Sequence, residues 1–392
     1  MKILPYSRQS IDNSDIKAVV KVLKSDFLTQ GLNVPAFEKS VSKKLGGKYS
    51  VAVNSGTSAL HIACMSLDIK KNDIVWTSAN SFVASINCAK YLGAKVDFID
   101  IDKRTYNLSI DNLKKKLLSA KKNNKLPKLI IVVHFAGLPC ELKKIYDLSK
   151  IYKFKIIEDA SHAMGAKYAR GYIGNCKYSD IAVFSFHPVK IITSGEGGMC
   201  ITNNKNLRDK MVLFRSHGIT NDYKKFKKKM FKKPWYYEQQ TLGYNYRMSD
   251  IHAALGLSQL KKLDFFVKKR NAIAKNYYRL LKKLPFFFQS KKQKGILSSF
   301  HLFIIKINFK KTKKTYSKLF NYLRKNKIWV NLHYLPIYSH PFYKNYFNKK
   351  DYKNMEQYYK SAISIPIYPG LTLKDQINIK KKLEIFFKNE KN

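Results

Sequence analysis

Short runs of Val, Ile and other apolar residues recur along the first two-thirds of the chain, and stretches with helical spacing separate them. The runs are VAVNS (51–55), IVWTSA (74–79), KVDFIDI (95–101), LIIVVHF (129–135), FKIIEDA (154–160), DIAVFSF (180–186) and GMCIT (198–202). Helices are expected from Thr57, near 81–92 and near 140–152. Strands alternating with helices of this length fold as βαβ units around a largely parallel sheet. Continuous β-branched runs suit strands covered on both faces. The fold class is therefore α/β, with a large, mostly parallel mixed sheet.

The pattern changes near residue 245. A long, interrupted helix is expected from Ser249 to Leu284, with Ser249 as its N-cap and Pro285 at its end. HLFIIKINF (301–309) and IWVNLHY (328–334) read as strands around a helix at 315–327. This divides the 392 residues into a large α/β domain, 1–249, and a smaller C-terminal α+β domain, 250–392.

No stretch of 18 apolar residues occurs, so no membrane-spanning helix is expected. The first residues lack the apolar core of a signal peptide, which points to the cytoplasm. Five scattered cysteines, never paired as C-x-x-C, exclude a cysteine-built zinc site and argue against disulfides; no metal is called for. The net charge is +49, carried by 66 Lys and only nine Arg. Nucleic-acid readers favour Arg for its planar fork. The excess of Lys, with abundant Asn, Ile, Tyr and Phe, reads as compositional drift of a solvated surface, and no nucleic-acid partner is expected. A polyanion binder would need Arg- or aromatic-rich reading surfaces. The densest basic run is KKFKKKMFKK (224–233).

Open α/β sheets bind ligands beyond the carboxyl ends of their strands. After the run at 51–55 come Gly56 and Thr57, a tight turn and a helix start, which together suit an anion. Ordinary helix capping accounts for the same residues. After 154–158 come Asp159 and His162, a carboxylate able to hold a protonated ring nitrogen and a nearby imidazole; a cap and a core histidine are the plainer reading. After 180–186 comes Lys190, with Ser185 five residues before it. Residues 178–204 hold one lysine, where composition predicts roughly four to five. A lysine in such surroundings is either a snorkelling surface group or a desolvated nucleophile. Phe82 follows another strand and either packs in the core or stacks on a ligand ring. An anion seat, a carboxylate for a ring nitrogen, a hydroxyl and a lone lysine are the parts that pyridoxal 5′-phosphate requires.

These segments carry a resemblance. NSGTSALH, EDASHAMGAKY, FSFHPVKIITSGEGG, RSHGI and LGYNYRMSDIHAALGLSQL, in order along the chain, resemble the DegT/DnrJ/EryC1/StrS sugar aminotransferases. The resemblance implies a fold-type I pyridoxal-phosphate enzyme and a homodimer with shared active sites. It implies that Lys190 binds the cofactor covalently, Asp159 faces the pyridine nitrogen and His162 stands near the ring hydroxyl. Gly56, Thr57 and Ser185 would cradle the phosphate. Asn245 would reach the phosphate bound by the neighbouring subunit, and Arg247 is an additional anion partner. The presence of Lys190 disfavours the sugar 3-dehydratase offshoot, which lacks that lysine, and an intact pocket disfavours a purely regulatory or structural role.

PYSRQSIDNSD, LTQG (28–31), PWYYEQQTLGYNYRMSD and HYLPIY (333–338) are similar to one branch of the family, which acts in pseudaminic acid biosynthesis. That likeness implies amino transfer from L-glutamate to C4 of a UDP-linked 2-acetamido-2,6-dideoxy-hex-4-ulose, for flagellar or other cell-surface glycans. It implies that Tyr6, Asp26, Phe27, Leu28, Thr29, His333, Tyr334 and Tyr338 line the nucleotide-sugar pocket. A sibling enzyme for another nucleotide-linked keto sugar is the alternative. The lysine-rich loop at 220–240 and the lysine-saturated surface of the smaller domain depart from the family pattern.

Overall fold

The computed structural model describes residues 3–227, 233–290, 295–309, 312 and 314–388. Residues 228–232 of the basic run therefore lie outside the described residues. The core is a seven-stranded sheet in the order Tyr49–Val53, Gly198–Thr202, Ile181–Ser185, Lys155–Asp159, Leu129–Val133, Ile74–Ser78 and Lys95–Ile99. Gly198–Thr202 runs antiparallel to both of its neighbours, and the remaining pairs are parallel. The seven expected strands are all present, each five residues long: Gly198–Thr202 falls as expected, the run at 51–55 is shifted to Tyr49–Val53, and the other five are trimmed.

The two-sided covering of the strands explains their continuous apolar runs. Ile130 and Val132 enter one core while Leu129 and Ile131 enter the other. Ala182 and Phe184 alternate with Ile181 and Val183 in the same way. Successive strand residues point to opposite faces, so a strand buried on both sides has no polar positions to spare.

The expected long helix is two helices, Asp250–Leu260 and Leu263–Leu280. Ser249 caps the first by accepting the His252 N–H. The second stops at Leu280, ahead of Pro285, so the proline follows the end rather than making it. At the break, Lys262 pairs with Asp12 at 2.8 Å and with the fully buried Asp15 at 2.6 Å. Helix Asp250–Leu260 sends Ala253 and Leu260 into the core that holds Phe37, whereas a third core begins at Ile273. We propose that the division expected at 249/250 lies within Leu263–Leu280, between Val267 and Ile273.

The third core covers a three-stranded sheet, Phe286–Phe288, Phe303–Ile307 and Ala362–Ile365, backed by helices Tyr316–Lys325 and Leu373–Lys388. The strand expected at 328–334 is only Ile328–Trp329, paired in parallel with Leu4–Pro5. Its partner ends after two residues, and the chain from Asn331 turns inward instead. This pairing brings the N-terminus, with Tyr6, onto the smaller unit.

The fit of helix Asp250–Leu260 against helix Asn33–Leu45 depends on Gly256. A Cβ there would lie 2.6 Å from the Phe37 ring, which is fully buried. Gly256→Val should cost about 1–3 kcal/mol by overpacking, read as a lowered urea midpoint with unchanged slope; an unchanged midpoint would refute the tight contact.

Candidate active site

The carboxyl ends of the parallel strands open into a cavity of about 790 Å³. Lys190, Asp159, Gly56, Thr57, Phe82, His162, Ser185, Tyr6, His333 and Tyr334 all border it. The topology accounts for this convergence. Each strand ends at the same sheet edge, so the residues that follow each strand share one space.

The anion seat is built at the start of helix Gly56–Ser66. Ser55 caps it, accepting the Ser58 N–H at 3.0 Å, and the Ser55 carbonyl takes the Ala59 N–H. The Gly56 and Thr57 N–H groups precede the first intrahelical bonds and lie at the positive end of the helix. Gly56 is required by close approach, because a Cβ there would sit 2.8 Å from the Ser185 Cβ. The two pieces of the seat therefore come together only with glycine at this position.

Asp159 is buried at the end of its strand and accepts two hydrogen bonds. Ser85 Oγ donates to Oδ2 at 2.5 Å, and the Ser161 N–H donates to Oδ1 at 3.1 Å. Ser85 thereby spends its proton on Asp159, and Ser81 Oγ, 2.6 Å away, donates to Ser85. Lys190 is surrounded by protein, and that desolvation pulls its amine down to about 8, with Asp159 opposing the fall. His162 Nδ1 accepts the Ala136 N–H at 3.3 Å, and Nε2 lies 3.0 Å from Tyr334 Oη. His333 bonds Ser364 Oγ at 2.9 Å, and burial drives its pKa down to about 3. Phe82 is 57% exposed, leaving a ring face open to the cavity.

Some expected residues are elsewhere. Tyr338 is buried in a core, stacked on Tyr352 at 4.4 Å and donating to Glu356 at 2.9 Å, so it does not reach the cavity. Asp26, Phe27, Leu28 and Thr29 are exposed and do not border the cavity of their own chain. That loop is held outward where the Asp250 carboxylate accepts the Gly31 and Asn33 N–H groups, both at 2.7 Å, and where Asp250 donates its own N–H to Leu28. Asn245 is exposed at the rim, its carbonyl 3.5 Å from Asn54 Nδ2, and Arg247 does not border the cavity.

Sequence reasoning missed Ser81, Ser85 and His301, all of which border the cavity. Ser81 and Ser85 are four apart in TSANSFVAS, a spacing that stacks side chains at a helix start. His301 packs against His162 with tilted rings, 4.2 Å between centroids, and nothing near it in the sequence marks it.

A depressed amine, a doubly donated carboxylate, an open aromatic face and a helix N-terminus in one cavity fit pyridoxal phosphate in chemical type. Residues 9–384 match the DegT/DnrJ/EryC1/StrS aminotransferase family. The chain belongs to that family. This aminotransferase is 40% identical to the UDP-4-amino-4,6-dideoxy-N-acetyl-β-L-altrosamine transaminase of Campylobacter jejuni, over 97% of this chain and 96% of that protein. The spore coat polysaccharide biosynthesis protein SpsC of Bacillus subtilis is 33% identical over 94% of this chain and 93% of its own length. The Helicobacter pylori aminotransferase PseC, involved in the biosynthesis of pseudoaminic acid, matches the fold with a TM-score of 0.89 at 33% identity, covering 99% of this chain and 100% of that one. The protein is a sugar aminotransferase with pyridoxal phosphate as its cofactor.

The Lys190 environment generates a prediction. In cofactor-free protein, labelling of Lys190 by an amine reagent should rise through a midpoint near pH 8, where its free amine forms. Exposed lysines should respond only toward their ordinary value of about 10.4. Asp159→Asn should lower the Lys190 midpoint further, because it removes the charge that favours the ammonium. Peptide-level mass spectrometry reads both, and a midpoint above about 10 would refute the desolvated amine.

Proposed function

We propose that this aminotransferase moves the amino group of L-glutamate to C4 of a UDP-linked 2-acetamido-2,6-dideoxy-hex-4-ulose, giving UDP-4-amino-4,6-dideoxy-N-acetyl-β-L-altrosamine for pseudaminic acid synthesis. The observation that carries the reading is Lys190 as the one lysine bordering the cavity among the described residues, with its amine near 8 and Asp159 beside it. The 40% identity to a transaminase named for that product supports the substrate.

Pyridoxal phosphate, when bound, supplies an aldehyde that captures amines and a ring that accepts the electrons of a neighbouring carbon. Lys190 Nζ is the covalent anchor and, once freed, the base that moves a proton from the donor's α-carbon. Asp159, fixed by Ser85 and Ser161, would hold a proton on the ring nitrogen. The Gly56 and Thr57 N–H groups and the Ser185 hydroxyl would hold the phosphate, and the open face of Phe82 would be available to the ring. Tyr6, His333 and Tyr334 take the sugar from the side of the smaller unit.

Asn245 and the Asp26–Thr29 loop support a homodimer. Both are exposed and neither lines its own cavity, and an isologous pairing can carry such residues to the partner's site. Among the described residues no helix is long and apolar enough to cross a membrane. We place the enzyme in the cytoplasm, with a product destined for flagellin or other surface glycans.

Incubation with L-glutamate and a panel of UDP-, dTDP- and GDP-linked 4-keto sugars, read by mass spectrometry, tests the substrate. Amination confined to the dTDP or GDP sugars would refute it. Lys190→Ala should lose on the order of 10⁴-fold in turnover, and borohydride reduction of the wild-type holoenzyme should leave the pyridoxyl group on Lys190. A label elsewhere would overturn the assignment. Mixing Lys190→Ala with Asn245→Ala chains should restore activity in the mixed dimers if sites are shared, and activity no greater than that of either parent would count against sharing.

A further inference from the structure

Two side chains of the cavity have a hydrogen-bond direction set by the backbone. His162 Nδ1 accepts the Ala136 N–H at 3.3 Å. A ring nitrogen that accepts carries no proton, so the neutral imidazole has its proton on Nε2. Burial, then Lys190 and His333, hold the His162 pKa well below its ordinary value, which keeps the ring neutral. His162 Nε2 lies 3.0 Å from Tyr334 Oη. The imidazole therefore donates and the phenol oxygen accepts.

The phenol's own proton is then turned away from His162. Among the described residues Tyr334 Oη has no other hydrogen-bond partner, and its side chain borders the cavity 6.0 Å from the Phe82 ring, centroid to centroid. Burial, with Tyr6 and Asp159 nearby, raises the Tyr334 pKa, so the group stays a phenol and a donor. Two of the cavity's other hydroxyls are committed elsewhere, Ser85 to Asp159 and Ser58 to Asn54.

We propose that Tyr334 is a catalytic residue that donates a hydrogen bond to the carbonyl oxygen of the substrate, and that His162 is the positioning residue that aims it. This rests on the aminotransferase reading and deepens it. A ketone that exchanges its oxygen for nitrogen sheds that oxygen as water, and negative charge grows on the oxygen as the carbonyl opens. A neutral O–H donor in a water-poor cavity stabilises that charge. A carboxylate, by contrast, is recognised by cations such as Arg or Lys. Transamination consumes one ketone, the keto sugar, and releases another, 2-oxoglutarate, whose oxygen comes from water, so one donor at that oxygen serves both half-reactions.

The test uses the Tyr334→Phe holoenzyme, with each half-reaction followed through the absorbance of the bound cofactor. One arm adds L-glutamate to the resting enzyme, and the other adds the keto sugar to the aminated enzyme. Both rates should fall on the order of 100-fold, while the pH midpoint of the resting spectrum moves by less than about 0.3 unit. Rates within about threefold of wild type would overturn the proposal. A shifted resting midpoint would overturn it as well, because it would assign the phenol to an oxygen of the cofactor. His162→Asn should cost less in the Tyr334→Phe background than in wild type, and strictly additive losses would overturn the positioning role of His162. If wild-type enzyme aminates no keto sugar, the substrate reading fails and the glutamate arm still decides the role of Tyr334.

Discussion

The site turns on keeping one amine out of bulk water beside one carboxylate. Lys190 is an ammonium on any exposed surface, and an ammonium is no nucleophile. Desolvation inside the cavity disfavours the charged form, and Asp159 pulls the other way, with the result near 8. The opposition works only if Asp159 keeps its own charge where water is scarce. Ser85 and the Ser161 N–H supply that support, and Ser81 in turn fixes the direction of the Ser85 hydroxyl. A cascade of ordinary hydroxyls thus sustains the electrostatics of the amine.

The sheet makes this arrangement affordable in conformational terms. Lys190, Asp159, Phe82 and the Gly56–Thr57 helix start come from widely separated parts of the chain, yet each needs only to follow its strand. The register of the central strands aligns Val133, Asp159 and Val183 across three neighbours. The antiparallel strand Gly198–Thr202 lies between the edge strand Tyr49–Val53 and Ile181–Ser185, and Gly198 allows it to pass the Ser55 carbonyl, which a Cβ would approach to 2.2 Å. From the opposite wall, Arg270 ties the smaller unit under the cavity without any carboxylate partner among the described residues. It donates to the Phe300, His301 and Ile367 carbonyls and to Ser7, and Ser7 donates to the carbonyl of Val189, next to Lys190.

The parts legible in the sequence are those governed by local rules. Strand runs follow from two-sided burial, and the residue after a strand falls at a predictable edge, so Gly56, Asp159, His162, Ser185 and Lys190 could be read in order. Where pairing over long sequence distance decides, local reading fails. The run 328–334 is strand-like throughout, yet it stops at Trp329 because its partner is the two-residue strand Leu4–Pro5. Tyr338 looked like the end of a pocket segment, but Phe98, Tyr352 and Glu356 form a core that holds it. The Asp26–Thr29 loop depends on a carboxylate more than 200 residues away. Ser85 and His301 gain their meaning only from neighbours that the fold supplies.

The charge distribution separates what the fold constrains from what it leaves free. Lysine supplies 66 of 392 residues. A cavity wall of 24 residues drawn at that frequency would hold roughly four, and this one holds Lys190 alone. Among the described residues no lysine is fully buried, so the excess sits where water or a carboxylate can reach the ammonium. Inside the cavity each added lysine would meet the same desolvation as Lys190 without an Asp159 of its own, and would compete for the single aldehyde the site is built to receive. A strong compositional bias can therefore run over the surface of this enzyme without touching its chemistry, and the low lysine content at 178–204 marks the boundary at which that freedom ends.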